Sequence, residues 1–464
     1  MCGIIGIISK EDIAHRLYYG LNSLQHRGQD SSGILVLNKE SMFLKKKCRL
    51  VKDLLRKSDF PKMKGNIGIG HTRYPTAGCS PTDDAHPFII NYKPLIGIAH
   101  NGNLTNYNDL KARLKKKGVF FHSTSDAEAI LNIFATKFEN SGDIFEAFKG
   151  LVEEINGSYS VVMAIQGHGL IAFRDPNGFR PLILGKDKSS YIFASESVAL
   201  DVLGFNIVGE LKPGELIYID ENLKTKSEVI KTRCHTHCMF EWVYFARPDS
   251  IIEDKSVYEA RLNLGRELAK TWKNKNIDVV IPVPDTSRTA GLTFAESLGL
   301  KYREGLIKNR YVGRTFIMPS QKERDGAVKM KLNPILHEIK GERIALIDDS
   351  IVRGTTSKNI VKLVKDAGAK EVHLISTCPP IKYPCFYGID MPTREELIAA
   401  NASVEEITKI INADSLTYQS LEGLKNAIGL PDMCTACLTG EYPTKIANQS
   451  VLSEYRKNER SDSE

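Results

Sequence analysis

The chain has 464 residues, 42% of them hydrophobic and 26% charged, with a formal net charge of +7; that length accommodates two or three cores, and the composition is that of an ordinary folded protein. The basic residues are scattered apart from two triplets, Lys45-Lys46-Lys47 and Lys115-Lys116-Lys117, which read as solvated faces, and no apolar run approaches about 18 residues, so neither nucleic-acid binding nor a membrane span is expected. Nine cysteines without a signal-peptide pattern in MCGIIGIISKEDI point to the reducing cytoplasm, and to catalysis or metal rather than disulfides.

Short glycine-punctuated apolar segments dominate the first 230 residues: GIIGIIS, GILVLN, GNIGIGHTRY, LIGIAHNGNL, SYSVVMAI and GELIYID. Most are short enough to be strands. Helical periodicity interrupts them at Ile13–Leu24, Asn108–Lys117 and Ala127–Phe138. Strands in the majority with a few helices predict a layered α+β domain built on sandwiched sheets. Cys2 becomes the terminal residue once methionine is removed, which joins a thiol and a free amine in one residue. The amine, with an ordinary pKa of about 7.7–8.0, can then serve as the thiol's base. For the cysteine alone, an incidental small residue at a strand start is the plainer reading, and only its position argues otherwise.

The stretch between Ile219 and His237 is polar and Lys-rich and reads as a connector between domains. CMFEWVYFARPDS follows, whose acidic and aromatic residues fit packing at a domain interface. DVVIPVPDTSRTAG then gives a buried strand from Asp278 to Val283, a turn, and a helix. LIKNRYVGRTFIMPSQKERDGAVKMKLNP, from Leu306 to Pro334, is basic and broken by Gly313 and Pro319. In RIALIDDSIVRGTTSKNIVKLV the strand Ile344–Ile347 runs into Asp348 and Asp349, a small-residue loop from Ser350 to Thr356, and a helix ended by Gly368. Strand, Ser/Gly/Thr loop and helix N-terminus form a phosphate cradle, because free N–H groups converge there and the helix dipole favours an anion. The paired carboxylates suit ribose hydroxyls or a magnesium ion. Strand–helix alternation from Asp278 to Ser376 predicts a mainly parallel sheet with helices on both faces and its ligand at the carboxyl ends of the strands.

IALIDDSIVRGTTS resembles the phosphoribosyl-pyrophosphate (PRPP) signature of type I phosphoribosyltransferases, and in its full wording that of the amidophosphoribosyltransferase family. MCGIIGI, LQHRGQDSSG, GHTRYPTAG, AHNGNLTN and STSDAE resemble, in that order, an N-terminal-nucleophile glutamine amidohydrolase domain. The resemblance runs from Met1 to about Pro443. It implies an αββα glutaminase sandwich over 2–230, an α/β phosphoribosyltransferase domain over 238–400, and a C-terminal helical extension over 401–464 with a frayed tail. In the first, Cys2 would attack the glutamine side-chain amide, with Asn101 and the Gly102 N–H as oxyanion hole. Arg73 would clamp the glutamine carboxylate and Asp126 its amino group, with Arg27 and Gly28 lining the same pocket. The family often has a hydroxyl residue after this aspartate, where the chain has Ala127. In the second domain, Asp348, Asp349, Ser350, Val352, Arg353, Gly354, Thr355 and Thr356 would bind PRPP. Asp285, Thr286 and Ser287 would face pyrophosphate or magnesium, the ion being held by Ser287, Asp348 and Asp349. Lys308, Arg310 and Arg314 would bind the diphosphate as the basic loop closes.

One CxxC, Cys434 and Cys437, with scattered Cys238 and Cys385 is by spacing only a moderate metal signal, for which zinc is the first guess. The resemblance implies instead a 4Fe–4S cluster on Cys238, Cys385, Cys434 and Cys437, fastening the C-terminal helices without redox turnover. Cys234 and Cys378 are neighbours outside the set, and Cys48 and Cys79 are unassigned. Further helices are expected around Glu395–Ala399, Val404–Ile411 and Leu421–Ile428. The implied function is glutamine-dependent conversion of PRPP to 5-phosphoribosylamine in purine synthesis, with purine nucleotides as feedback inhibitors and a homotetramer or dimer as the assembly. A sugar-phosphate-aminating or aspartate-adenylating amidotransferase would share Cys2, Asn101 and Asp126 but lack DDSIVRGTTS. A PRPP-binding repressor would need a DNA-binding element, and a redox sensor a flavin or nicotinamide motif; the sequence shows neither.

Overall fold

The computed structural model describes residues 1–74, 83–91, 94–273, 276–309, 332–391 and 393–446. Arg310, Arg314 and Cys79 lie outside them.

Two antiparallel sheets face each other in the first half. One has seven strands in the order Asn206–Glu210, Ile183–Lys186, Ser190–Ala194, Gly3–Ser9, Ile67–Arg73, Ser31–Leu37, Met42–Lys47. The other has six: Thr225–Val229, Glu215–Asp220, Gly169–Arg174, Gly157–Ile165, Ile96–Leu104, Phe88–Ile90. Period-two alternation sorts the side chains into layers. In Gly3–Ser9, Ile4 and Ile8 enter the layer between the sheets with Ile69, Ala99 and Val162. Ile5 and Ile7 instead meet Leu17 and Leu21 of the helix Ala14–Ser23. On the far sheet, Phe134, Phe138 and Phe148 of the helices Asp126–Ser141 and Ile144–Glu154 pack on Val161, Met163 and Phe173. This is the expected αββα sandwich.

The second half holds a five-stranded parallel sheet in the order Lys301–Tyr302, Val279–Pro282, Arg343–Asp348, Glu371–Ser376, Ser415–Tyr418. It is buried on both faces, which explains the continuous apolar runs in its central strands. Ile344 and Leu346 pack with Ile360, Val361 and Val364 of the helix Thr355–Asp366. Ala345 and Ile347 face Leu268 and Phe294, from the helices Val257–Thr271 and Arg288–Leu298. A further apolar core joins the halves: Met1 and Phe179 from the sandwich meet Trp242, Tyr387, Met433 and Leu438. There His237–Cys238 pairs in parallel with Met433–Cys434.

The structure departs from the sequence reading in the connector. Thr225–Val229 is not linker but the edge strand beside Glu215–Asp220. An edge strand with almost every side chain at the surface has no apolar face to reveal it, so its polarity reads as a loop.

Candidate active site

The strand Gly3–Ser9 pairs with Ile67–Arg73, which sets Cys2 at the strand's mouth beside Arg73. The Cys2 N–H donates to Asn101 Oδ1 at 3.1 Å, and its Sγ lies 3.8 Å from the Tyr74 carbonyl. The Asn101 Nδ2 is buried and has no hydrogen-bond partner among the described residues, an orphan donor of the kind an incoming oxyanion satisfies. Gly102 follows on the same strand, its backbone so close to the neighbouring strand that a Cβ would stand 1.9 Å from the Ser158 carbonyl.

Asp126 opens a helix whose N-terminus Ser125 caps by accepting from the Ala127 N–H. Its carboxylate accepts from the Leu104 N–H at 2.7 Å and lies 3.2 Å from His100 Nδ1. Burial works against both charges, but their mutual attraction prevails, holding Asp126 below the usual carboxylate range and His100 above its ordinary value. Arg73 is buried, with Nη2 3.4 Å from Asp84 Oδ2. Asp84 is itself fixed by the Thr124 N–H at 2.8 Å and hydroxyl at 2.7 Å.

Arg27 sits beneath the nucleophile, fully buried. Its Nε donates to the Cys2 carbonyl at 3.0 Å, and its guanidinium is shared between Glu196 and Glu241. Gly28 is where this segment crosses the strand of Arg73: a Cβ there would lie 2.4 Å from the Arg73 carbonyl carbon.

At the second site, Asp348 ends its strand and Asp349 starts the loop, beside the neighbouring strand end at Ser376. Burial raises both carboxyls above their ordinary value, Asp349 to about 6, and their adjacency adds to the shift in Asp348. The Ser350 hydroxyl donates to Asp349 Oδ1 at 2.7 Å. Gly354 adopts φ 76° and hands the chain to the helix at Thr355, leaving Thr355 and Thr356 exposed in its first turn. Val352 turns inward onto the joint core, its carbonyl accepting from the Ile398 N–H at 3.0 Å. The Arg353 Nε reaches Glu396 at 3.0 Å. Ser287 is buried, with its hydroxyl unpaired among the described residues. Lys308 Nζ lies 3.4 Å from Asp285 Oδ2.

A cleft of about 400 Å³ lies between the sandwich and the parallel-sheet unit. His26, Gln29 and Tyr74 line it from the sandwich, and Arg261, Asp285, Thr286 and Lys308 from the parallel-sheet unit. Cys238, Cys385, Cys434 and Cys437 line a separate enclosed chamber with Phe179, Tyr387 and Tyr442. Burial pushes the Cys238, Cys434 and Cys437 thiols up, and the neighbouring sulfurs add to it. These three thiols disfavour ionisation unless a cationic metal core sits beside them. Among the described residues no three cysteine sulfurs lie within 4.8 Å of one another. One tetrahedral zinc with Zn–S of about 2.3 Å would draw its sulfurs to roughly 3.8 Å. The tighter ligand group, His235, His237 and Glu253, already contains a cation. Arg174 Nη1 lies 2.8 Å from Glu253 and Nη2 3.4 Å from His237 Nδ1.

Sequence reasoning missed Glu196, Glu241, Asp84, His100 and Arg261. His100 stands next to Asn101 and was visible as its neighbour. Glu196 and Glu241 are single charged residues whose partner Arg27 lies 169 and 214 residues away.

A glutamine amidotransferase domain model matches residues 71–202, and a phosphoribosyl transferase domain model residues 255–407. The chain is 45% identical to the amidophosphoribosyltransferase of Escherichia coli over 97% of its length and 94% of the relative's. It is 49% identical to that of Pyrococcus horikoshii over 95% of its length and 96% of the relative's. A solved Bacillus subtilis glutamine PRPP amidotransferase, complexed with ADP and GMP, superposes with a TM-score of 0.90 at 41% identity, covering 97% of this chain and 99% of that one.

Proposed function

The chain belongs to the amidophosphoribosyltransferase family, and from that membership we propose how its residues divide the reaction. The enzyme takes nitrogen from glutamine to aminate PRPP, giving 5-phosphoribosylamine, glutamate and pyrophosphate at the committed step of purine synthesis. We assign the glutamine half to a domain spanning 2–230, the phosphoribosyl half to 238–400, and a cluster-bearing extension to 401–464.

Removal of Met1 frees the Cys2 amine to take the thiol proton while the sulfur attacks the glutamine amide carbon. Asn101 Nδ2 and the Gly102 N–H donate to the oxygen as it becomes an oxyanion. Arg73 binds the substrate carboxylate, and Asp126, held by His100, its ammonium group. Arg27 acts from below by fixing the Cys2 carbonyl, and Gly28 lets that segment approach. The amine passes that proton to the departing nitrogen, so ammonia leaves as the thioester forms, and water then hydrolyses the thioester to glutamate. We assign the cleft between the two units as the route by which neutral ammonia reaches the anomeric carbon of PRPP, where it displaces pyrophosphate. The Ser350–Thr356 loop and the N-terminus of its helix cradle the 5-phosphate, Asp348 and Asp349 face the ribose, and Lys308 the diphosphate. Magnesium, suited to the paired carboxylates and the unpaired Ser287 hydroxyl, would neutralise the departing pyrophosphate.

We further propose a 4Fe–4S cluster on Cys238, Cys385, Cys434 and Cys437 as a fastening of the joint core. The absence of disulfides among the described cysteines supports our assignment of the enzyme to a reducing compartment, the cytoplasm. The ADP and GMP bound by the Bacillus subtilis relative support purine-nucleotide feedback here, and we infer a dimer or tetramer.

The observation that carries the mechanism is the buried Asn101 Nδ2, without a hydrogen-bond partner among the described residues, on a side chain whose Oδ1 already holds the Cys2 nitrogen. Substitution Cys2→Ala tests it. Glutamine-dependent synthesis should vanish while ammonia-dependent synthesis persists; loss of both would remove Cys2 from the chemistry.

A further inference from the structure

The segment that carries Cys385 also touches the glutamine site, over a sequence separation too long for any local pattern to show. Gly388, at φ 92°, lies flat against Gly102: a Cβ on Gly388 would stand 2.8 Å from the Gly102 carbonyl oxygen and 2.9 Å from its carbon. One residue on, Asn103 Nδ2 donates to the Phe386 carbonyl at 3.0 Å. The backbone of Gly102 is therefore held between Ser158 of its own sheet and Gly388 of the other unit. Both contacts are backbone against backbone, so no rotamer change can relieve them.

The segment is itself braced. The fully buried Arg180 donates to the Tyr387 carbonyl. The Tyr387 ring stacks on Phe179 with centroids 4.2 Å apart, and its hydroxyl meets Thr444 Oγ1 at 2.9 Å. Oxyanion stabilisation requires donors at about 2.7–3.1 Å from the developing charge, and misplacement by about 1 Å can cost on the order of 100-fold in rate. A rigid support behind Gly102 is what such a donor needs.

We propose that residues 385–388 form a buttress that holds the Asn101–Asn103 segment in its catalytic geometry, with Gly388 and Asn103 as positioning residues for the glutamine half-reaction alone. The proposal rests on the oxyanion role assigned above to Asn101 and Gly102.

The test is Gly388→Ala in the full-length, metal-replete enzyme, with glutamine-dependent and ammonia-dependent synthesis measured side by side. The added methyl presses on the Gly102 carbonyl and turns its peptide plane. Glutamine kcat should fall on the order of 10- to 100-fold, with the glutamine KM and the ammonia-dependent rate changed less than about twofold. Alkylation of Cys2 by iodoacetamide, which needs no oxyanion hole, should keep its rate. Asn103→Ala, which adds no bulk, should lower glutamine kcat in the same selective way by a smaller factor, and it decides the matter if Gly388→Ala loses iron or fails to fold. An unchanged glutamine kcat in both variants, a change confined to KM, or an equal fall in both activities would overturn the buttress. If Cys2→Ala left glutamine-dependent synthesis intact, the glutaminase assignment itself would fail, a result distinct from any of these.

Discussion

The Arg27 guanidinium donates to the Glu241 carboxylate at 2.9 and 3.1 Å, while its Nε holds the Cys2 carbonyl at 3.0 Å. One buried side chain thus ties the nucleophile's own backbone to the first turn of the second unit. Burial disfavours the Arg27 charge, but Glu241 and Glu196 outweigh it and raise its pKa further. Removing one partner from a buried charge cluster is costly because the remaining charges keep their desolvation penalty. Glu241→Gln preserves shape and one acceptor, so a destabilisation of about 1–3 kcal/mol is expected, read by thermal unfolding. The glutamine-dependent rate should fall more than the ammonia-dependent one, since Cys2 loses its anchor. Equal losses in both would make the pair purely structural.

Asn101 offers both ends of its amide: Oδ1 accepts from the Cys2 nitrogen, and Nδ2 has no partner among the described residues. Asn101→Ala should lower glutamine kcat by roughly 100- to 1000-fold, the usual effect of deleting one oxyanion donor. Asn101→Asp keeps the acceptor but replaces the donor with a negative charge, so it should be at least as damaging. Steady-state kinetics with glutamine and with ammonium chloride separate the effects, and ammonia-dependent synthesis should survive both substitutions.

The carboxyl pair of the cradle gives a pH prediction. Asp349 is raised to about 6 and Asp348 is raised also, so in the absence of a cation the folded state binds protons more tightly than the unfolded chain. Ionising the pair costs stability: the penalty is absent below the unfolded value of about 3.9 and grows as pH rises through the folded values. A divalent cation needs the ionised form, so it competes with protons. Apparent magnesium affinity should weaken as pH falls below about 6, with proton release on binding, measured by calorimetry in two buffers of different ionisation enthalpy. Asp349→Asn should raise thermal stability at pH 7 while weakening PRPP binding. A stability loss in that variant would contradict the shift's sign.

The legibility of this chain follows the range of the interactions involved. The Asp348–Thr356 cradle is local, a strand, loop and helix in succession, so its residue types reveal it. The alternation of Ile4 and Ile8 against Ile5 and Ile7 shows that both faces of the strand are buried, though not what covers each. Arg27 is different: its carboxylate partners lie 169 and 214 residues away, and nothing near it in sequence marks it as an anchor for Cys2 rather than a pocket residue. The contact of Gly388 on Gly102 is likewise invisible, because a glycine in YPCFYGID reads equally well as a turn. Arg353 shows the converse, since the motif gives the residue while the structure turns its side chain to Glu396.

The cysteine chamber separates residues that the sequence lists together. Cys238, Cys385, Cys434 and Cys437 line it, whereas Cys234 is exposed. Cys378 is buried nearby, its thiol raised by burial and then by Asp349 and Cys238. Its place between cradle and chamber makes it the sharpest control. Cys434→Ser and Cys385→Ser should each cost most of the iron, because a hydroxyl is a poor ligand for a thiolate-held cluster. The loss should loosen the joint core that holds Met433 and Leu438 and lower the unfolding temperature. Cys378→Ser and Cys234→Ser should keep about four irons and matching acid-labile sulfide per chain, with any loss in Cys378→Ser confined to PRPP affinity. Metal analysis on anaerobically purified protein decides: zinc at about one per chain with no sulfide would replace the cluster by a single-ion site, and iron loss in Cys378→Ser would bring that thiol into the ligand set.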